Sequence, residues 1–380
     1  TFNIGVCYVN SMLEKSKAIP YLEKAVENVS LDYIGVADDI TAPIFAFYYL
    51  GRAYLIIYKL DDAIKYFEKF KYYLTENDVD LLKDVNRQIE MCYNAKKLML
   101  NPVSITIENL GEPINSSFPD YSPVITPDET SVIFTSRREG SSCCKKDTDG
   151  KFFEDIYVAN LGKEKKGWGV GFSKIGSNIN TCGHEASISI SQDGKQLFIY
   201  RDDNGDGNIY ISELKNSEWT TPDKLSFEIN SKYWETHACL SPDGYTLYFV
   251  SNRPGGYGGR DIYRSEKLAS GKWAPAVNLG PKINTEYDEE SPFMLADGAT
   301  MYFASKGHES MGGFDIFTST LSEDGFWSTP ENFGYPINTT DDDVFYVPTK
   351  DEKSAYYSSA KEAGFGDLDH LLFLHLRQNI

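Results

Sequence analysis

One period runs through the last three quarters of this chain and limits its fold more than composition does. A turn aspartate recurs at Asp128, Asp193, Asp243, Asp297 and Asp351, at steps of 65, 50, 54 and 54. The first residue of an Asp-Ile-Tyr run recurs at Asp155, Asn208, Asp261, Asp315 and Asp369, at steps of 53, 53, 54 and 54. The Asn of an Ile-Asn pair recurs at Asn115, Asn180, Asn230, Asn284 and Asn338, at steps of 65, 50, 54 and 54. Three anchors that keep one period through five copies define a repeat architecture. Residues 241–284 show its content. Asp243-Gly244 turns the chain between two short strands, and residues 246–251 are aromatic and β-branched, as strands are. A Gly-rich loop at 254–259 leads to a third strand opening at Asp261-Ile262-Tyr263. Residues 273–280 read as a polar outer strand, where the edge Pro275 is tolerated. Four strands per copy and five copies predict a five-bladed β-propeller.

The ring is expected to close with borrowed sequence. The last copy has no Trp-x-x-Pro strand after Asp369. Residues 103–109, followed by Leu110-Gly111-Glu112-Pro113-Ile114-Asn115, match the end of the repeat at Leu279 to Asn284. Residues 103–110 should therefore supply the fourth strand of blade five and hide both strand edges. The propeller domain is read as 101–380, because Asn101-Pro102 ends the preceding helices.

Residues 1–100 read as helical, with helix formers at three- and four-residue spacing. Leu50, Gly51 and Tyr54, then Ala63 and Phe67, resemble the tetratricopeptide (TPR) signature. In that packing Gly51 and Ala63 let two antiparallel helices approach, and Tyr54 and Phe67 fill the groove. Phe2, Ile4, Gly5 and Tyr8, then Ala18, Leu22 and Ala25, form a looser earlier copy. The expected fold class is thus α+β multidomain, TPR-like helical repeats over 1–100 followed by an all-β propeller. The chain starts inside a helical pattern without an initiator Met, so it reads as a piece of a longer protein.

The net charge of −19 argues against nucleic acid, whose binding rests on Lys and Arg contacts to phosphate. No run of 18 apolar residues is present, so no membrane span is expected. The sequence lacks G-x-S-x-G, H-E-x-x-H and P-loop motifs, so no enzyme is expected.

Five residues after each Ile-Asn stands a carboxylate: Asp120, Glu185, Glu235, Glu289 and Asp343. Each precedes the innermost strand of its blade. Two readings stand: each carboxylate accepts backbone hydrogen bonds in its own loop, or the five form a ring at the channel mouth for a cation or for a Lys or Arg of a partner. A basic residue closes each second strand: Arg137, Arg201, Arg253, Lys306 and Lys361. It suggests an Arg–Asp bridge to the third-strand Asp, or a carboxylate-capped turn. His184 abuts Glu185 and His237 lies close to Glu235, which makes a metal at the mouth one alternative to loop packing.

Asp202, Asn204 and Asp206, with Glu213, fit the spacing of an EF-hand loop. No helices flank them, so a hairpin turn and a Ca2+ loop both stay open; no other cofactor is expected. Cys143 and Cys144 lie in a long insert of blade one and Cys182 in the loop entering blade two. A disulfide from Cys182 to one of the pair stands beside free thiols.

The blade motifs S-P-D-G, L-Y-F-x-S-x-R, G-G-x-D-I-Y and W-x-x-P-x-N-L-G-x-x-I-N resemble the WD40-like propeller repeat PD40, known from TolB. TPR-like helices followed by PD40 blades resemble a Bacteroidota envelope family, exemplified by PorE of the type IX secretion system, in which an OmpA-like domain often follows. The resemblance implies a non-enzymatic scaffold, periplasmic and outer-membrane-associated, in type IX secretion or gliding. Its partners would be envelope proteins held by the helical arm and the propeller face. Peptidoglycan would bind only through the OmpA-like domain, which this chain lacks. Two alternatives remain: a propeller that binds a cation, basic peptide or glycan at the carboxylate ring, and the non-catalytic propeller of a larger hydrolase.

Overall fold

A computed structural model describes residues 1–11, 14–36, 40–161, 168–203, 205–360 and 370–376. They fall into two compact units.

The first unit holds residues 1–103 together with Glu309–Gly313 and Gly334–Asp342. Its helices are α1 (Phe2–Val9), α2 (Ala18–Ala25), α3 (Phe45–Ile56), α4 (Leu60–Tyr72) and α5 (Val79–Met99). Two glycines set how the first four pair. A Cβ on Gly51 of α3 would lie 2.7 Å from the Phe67 ring of α4, and one on Gly5 of α1 would lie 2.5 Å from Leu22 of α2. Each pair thus uses a residue without a side chain where the partner helix presses in. Leu50, Ala63 and Phe67 are fully buried, and Tyr54 donates to Glu23 at 2.5 Å. Helix α5 adds Val85, Ile89 and Cys92 to the same core. The two later segments belong to it as well. Met311 is buried in this core, Asn94 donates to the Ser310 carbonyl at 3.0 Å, and Thr340 donates to the Ile56 carbonyl at 3.2 Å. The unit therefore does not end at residue 100, where the sequence suggested a boundary.

The second unit is a β-propeller. Among the described residues its strands form five antiparallel sheets. Sheet 1 runs Asp120–Ile125, Ser131–Ser136, Asp155–Leu161, Trp168–Lys174. Sheet 2 runs Glu185–Ile190, Gln196–Asp202, Gly207–Lys215, Asp223–Lys224, with Glu218–Trp219 folded back on its third strand. Sheet 3 runs Glu235–Leu240, Thr246–Ser251, Asp261–Glu266, Val277–Asn278. Sheet 4 runs Glu289–Met294, Thr300–Ser305, Asp315–Thr320, Glu331–Asn332. Sheet 5 runs Asp343–Pro348, Ser354–Ser359, His370–Leu376, and takes Ile105–Asn109 as its fourth strand, with Ile105 opposite Leu376 and Asn109 opposite Leu372. The first strands of the sheets neighbour one another in a closed circuit, 1 to 2 to 3 to 4 to 5 and back to 1. The fourth strand of sheet 3 spans two residues only, shorter than the 273–280 run suggested.

The anchors owe their period to local bonding. In all five copies the turn aspartate accepts the amide two residues on, from Thr130, Lys195, Tyr245, Ala299 and Lys353. This Asx turn fixes the hairpin between first and second strands. Six residues after each turn aspartate come Phe134, Ile199, Phe249, Phe303 and Tyr357, all buried. The Asn of Ile-Asn braces the third strand of its own sheet with two bonds. Asn180 accepts from the Ile156 amide and donates to its carbonyl, Asn230 does the same with Ile209, and Asn284 with Ile262, all between 2.7 and 2.9 Å.

Candidate functional site

The five repeated carboxylates occupy equivalent positions, but they face their own loops. All are at most 1% exposed. Asp120 accepts from the Ser116 amide at 2.5 Å and the Ser116 hydroxyl at 2.7 Å. Glu185 accepts the same pair from Thr181, Glu235 from Ser231, and Glu289 from Thr285. Asp343 is buried at the same place, and its amide donates to the Phe314 carbonyl at 2.7 Å. The arrangement is a loop clasp, with a Ser or Thr four residues before the acid. Of the two readings of these carboxylates, the bonds match the loop role and not an open ring of charge at the channel mouth.

The basic residues also differ from expectation. Of the predicted set, Arg201 and Arg253 cap the isoleucine carbonyl of Ile-Asn and approach the clasp acid, rather than bridging to the third-strand Asp. Arg253 donates to the Ile229 carbonyl at 2.5 Å and to Glu235 at 3.2 Å. Arg138, not Arg137, does this in sheet 1, with Ile114 at 2.5 Å and Asp120 at 2.6 Å. Arg201 reaches the Ile179 carbonyl at 2.6 Å and lies 3.6 Å from Glu185. In sheet 4 the imidazole of His308 bonds the Ile283 carbonyl at 2.9 Å. Arg137 instead holds Asp149 with two bonds and Glu154 at 3.4 Å, and Lys306 sits 3.4 Å from Asp288. Lys361 and Asp369 lie outside the described residues. The third-strand acids cap turns: Asp261 accepts from the Tyr257 and Gly258 amides, and Asp155 from Ser142.

What faces the channel lies just past each clasp. Every innermost strand breaks register within its first few residues, between Tyr121 and Val124, Ser187 and Ser189, Glu235 and Ala238, Glu290 and Phe293, and Val344 and Val347. Such bulges re-aim side chains. Ser122, Ser291 and Phe345 carry positive φ there, of 54°, 44° and 58°. The bulges bring Thr236, His237 and Phe345 to one cavity of about 360 Å³, with Tyr121, Asp147, Glu154, His184, Glu185, Tyr200, Asp202 and Trp234.

Sheet 2 departs most from the repeat here. Where the other second strands carry Thr135, Val250, Ala304 or Ser358, it carries Tyr200. Asp202 stands where sheet 3 has Asn252. Before the third-strand anchor stand Glu154, Gly207, Arg260 and Phe314 in turn. A Cβ on Gly207 would lie 2.1 Å from the Trp234 indole nitrogen and 2.4 Å from the Tyr200 ring, so only glycine admits both rings. Burial lifts the Tyr200 phenol well above its ordinary range, with Asp202 nearby adding to this.

The cavity's ion pairs are internal. His184 is bonded through Nδ1 to Glu154, and Tyr121 donates to that carboxylate at 3.3 Å. His237 Nδ1 lies 2.6 Å from Glu290, which Arg260 also holds at 2.6 Å. Burial opposes the ionisation of Glu290, but His237 and Arg260 outweigh it and bring the carboxyl down to about 2. Phe345 stacks on Tyr121 at 6.2 Å and tilts over His237 at 4.9 Å, making an aromatic wall.

Among the described residues no group of three His, Cys, Asp or Glu is placed to hold a metal. Of the calcium-like run, Asn204 lies outside the described residues, Asp202 accepts the Gly205 amide, and Asp206 contributes its carbonyl to Asn208 at 2.5 Å. Cys143 and Cys182 form a disulfide, with Cα atoms 5.1 Å apart, and Cys144 is free and exposed. The bond ties the insert that carries Asp147 to the loop that carries His184. No described helix is long and apolar enough to cross a membrane.

No family model matches the sequence, and no curated protein matches it. Solved structures resemble the chain in fold. TolB from Agrobacterium tumefaciens is 19% identical, with a TM-score of 0.41 over 69% of this chain and 79% of that one. TolB from Acinetobacter baumannii is 18% identical, with a TM-score of 0.40 over 77% and 70%. A glycoside hydrolase is 8% identical, with a TM-score of 0.51 over 75% and 95%. That last likeness is one of fold alone, and the closed circuit of strands defines the fold as a β-propeller.

Proposed function

We propose that this chain is a non-enzymatic interaction module of a periplasmic, outer-membrane-associated complex. In this reading the helical pairs are a TPR-like arm, the five sheets are five blades, and the layout is that of the PorE-like envelope family, with a place in type IX secretion or gliding. One observation supports it above the rest. Most of the recurring residues are taken up in clasps, caps and braces, while the residues around one open cavity, the clasp acid Glu185 apart, are mostly ones that differ between blades. A surface built from the exceptions to a repeat is suited to recognising a partner.

The test is capture from envelope extract with the whole chain as bait. The reading expects an outer-membrane or secretion protein to be retained. It expects weaker capture after substitutions on the exposed arm (Tyr72→Asp with Tyr93→Asp) or in the cavity. Retention of no protein, together with turnover of a glycan or peptide by the same preparation, would reject it. A second reading, glycan binding, is favoured by the exposed Trp234 beside Tyr200; tight binding of a neutral oligosaccharide would select it.

A further inference from the structure

We infer that the cavity beside sheet 2 receives a cationic side chain, the guanidinium of an arginine or the ammonium of a lysine, from a partner polypeptide. The inference rests on the interaction reading above and names the chemistry that would be recognised.

The lining supplies both halves of a cation site. Four carboxylates border the cavity, Asp147, Glu154, Glu185 and Asp202, and its described border contains no Lys or Arg. Two of the four are already compensated. Glu154 is held by Arg137 and His184, and Glu185 by Thr181 with Arg201 behind it. The other two are less committed. Among the described residues Asp202 accepts only the Gly205 amide, and Asp147 accepts from the Thr148 amide and hydroxyl through one oxygen while its other oxygen lies 3.8 Å from an Arg137 already engaged with Asp149. Four aromatic residues, Tyr121, Tyr200, Trp234 and Phe345, line the same cavity. Rings attract cations through the negative potential of their faces, most strongly for Trp, and the attraction grows as water is excluded. Arginine fits such a site well, because its planar fork can meet a carboxylate and stack on a ring at once. A neutral sugar would use the rings but leave the acidic excess unanswered.

The site is also preformed. Gly207 leaves room for Tyr200 and Trp234, the disulfide anchors the Asp147 insert to the His184 loop, and the Tyr121–Phe345 stack backs the far wall. A binding group therefore need not order the rim on arrival. At about 360 Å³ the cavity has room for one long side chain, not for a folded segment.

The test is calorimetric titration of the whole chain with acetyl-Gly-Gly-Arg-Gly-Gly-amide, its Lys form and its citrulline form. Citrulline keeps the shape of arginine and removes the charge. The arginine peptide should bind at least about tenfold more tightly than the citrulline peptide, and more weakly as salt rises. Asp202→Asn should weaken arginine binding about tenfold, and Trp234→Ala about fivefold. Both variants should keep the wild-type thermal midpoint to within a few degrees, which separates site loss from misfolding. Glu289→Gln, in a clasp away from the cavity, should leave the affinity unchanged. Equal binding of the citrulline peptide, or indifference to Asp202→Asn, would overturn the inference. Equal binding of free arginine amide would overturn it in favour of a small cation. Capture of an envelope protein that survives Asp202→Asn would remove the cavity's role and leave the interaction reading intact. Loss of all capture by the wild-type chain would remove that reading itself.

Discussion

Sheets 2 and 3 are two versions of one blade, and their differences separate what the fold requires from what a site can use. Sheet 3 keeps the common pattern. Ser251 donates to Glu235 at 2.6 Å, and Arg253, two residues on, bonds Ser251, the Glu228 and Ile229 carbonyls and Glu235. Sheet 2 has Arg201 at the position of Ser251. From there its guanidinium still caps the Ile179 carbonyl, but the serine contact to the acid is gone. The cap survives a change of position because it asks only for a donor within reach. Freed from the common pattern, the strand places Tyr200 and Asp202 at the cavity.

The sharpest way to break this comparison is to remove both arginines in turn. Arg253→Ala removes one donor from each of four acceptors, Ser251, the Glu228 and Ile229 carbonyls and the buried Glu235, which keeps its bonds from Ser231 and Ser251. It should cost about 3 kcal/mol of unfolding free energy, because four bonds are lost at once, one of them to a buried carboxylate. Arg201→Ala should cost about half of that, since it loses the Ile179 cap but not a serine bond, and its contact with Glu185 is longer. Urea unfolding of the two variants measures both losses; equal losses would mean that the sheets are not built differently.

Sheet 4 extends the series. Where sheet 3 places Arg253, it has Gly307. Burial then dominates and pushes the Glu289 carboxyl up to about 7, against the favourable bonds from Thr285 and Ser305. A carboxyl raised in the folded state binds its proton more tightly there than in the unfolded chain. Its contribution is therefore fully present below the ordinary value of 4.5 and is lost as pH rises through 7. Glu289→Gln should remove this loss. Between pH 5 and pH 8 the wild type should lose on the order of 2 kcal/mol relative to the variant. Parallel stability curves for the two proteins would contradict the assignment.

Gly207→Ala tests the other side of the comparison. The added methyl meets Trp234 and Tyr200, both partly exposed, so the rings shift at a cost of about 1–2 kcal/mol. Tryptophan emission should change while the clasps of sheets 1, 3 and 4 hold. An unaltered emission would mean that this glycine does not position the rings.

Much of the propeller was legible in the sequence because its anchors act locally. The turn aspartates, the Ile-Asn asparagines and the clasp acids each bond within about 25 residues, so each leaves a spacing in the chain. Pairing of 105–109 with the last long strand was legible for the same reason, as a displaced copy of the repeat's end. The cavity was not. Alternation along a strand places residues on a face only while the register holds, and here every innermost strand bulges. Ser122, Ser291 and Phe345 take positive φ without being glycine, so no residue type announces the break. The carboxylates were consequently left between a loop role and a channel role, and the aromatic residues at the cavity were passed over. A signal was available in Tyr200, which is large where the other copies carry Thr, Val, Ala or Ser, and in Gly207, which has no side chain where Glu154, Arg260 and Phe314 all have long or bulky ones. The shift from Arg137 to Arg138 was hidden because two adjacent arginines satisfy the same pattern.

The smallest effect comes from the turns. The residue after the turn aspartate has positive φ in every copy, 56° at Glu129, 71° at Gly194, 77° at Gly244, 69° at Gly298 and 55° at Glu352. Three copies use glycine there and two use glutamate, which is strained in a left-handed conformation that glycine adopts freely. Glu352→Gly should raise stability by about 0.5–1 kcal/mol, the strain relieved less the extra freedom of the unfolded chain. Glu129→Gly should gain less, because the Glu129 carboxylate accepts the Lys350 amide at 2.6 Å and that bond would be lost. Differential scanning calorimetry should order the two variants in this way. The reverse order would mean that the bond between these two turns matters less than the backbone strain at residue 129, and that sheets 1 and 5 are held together mainly by their strands.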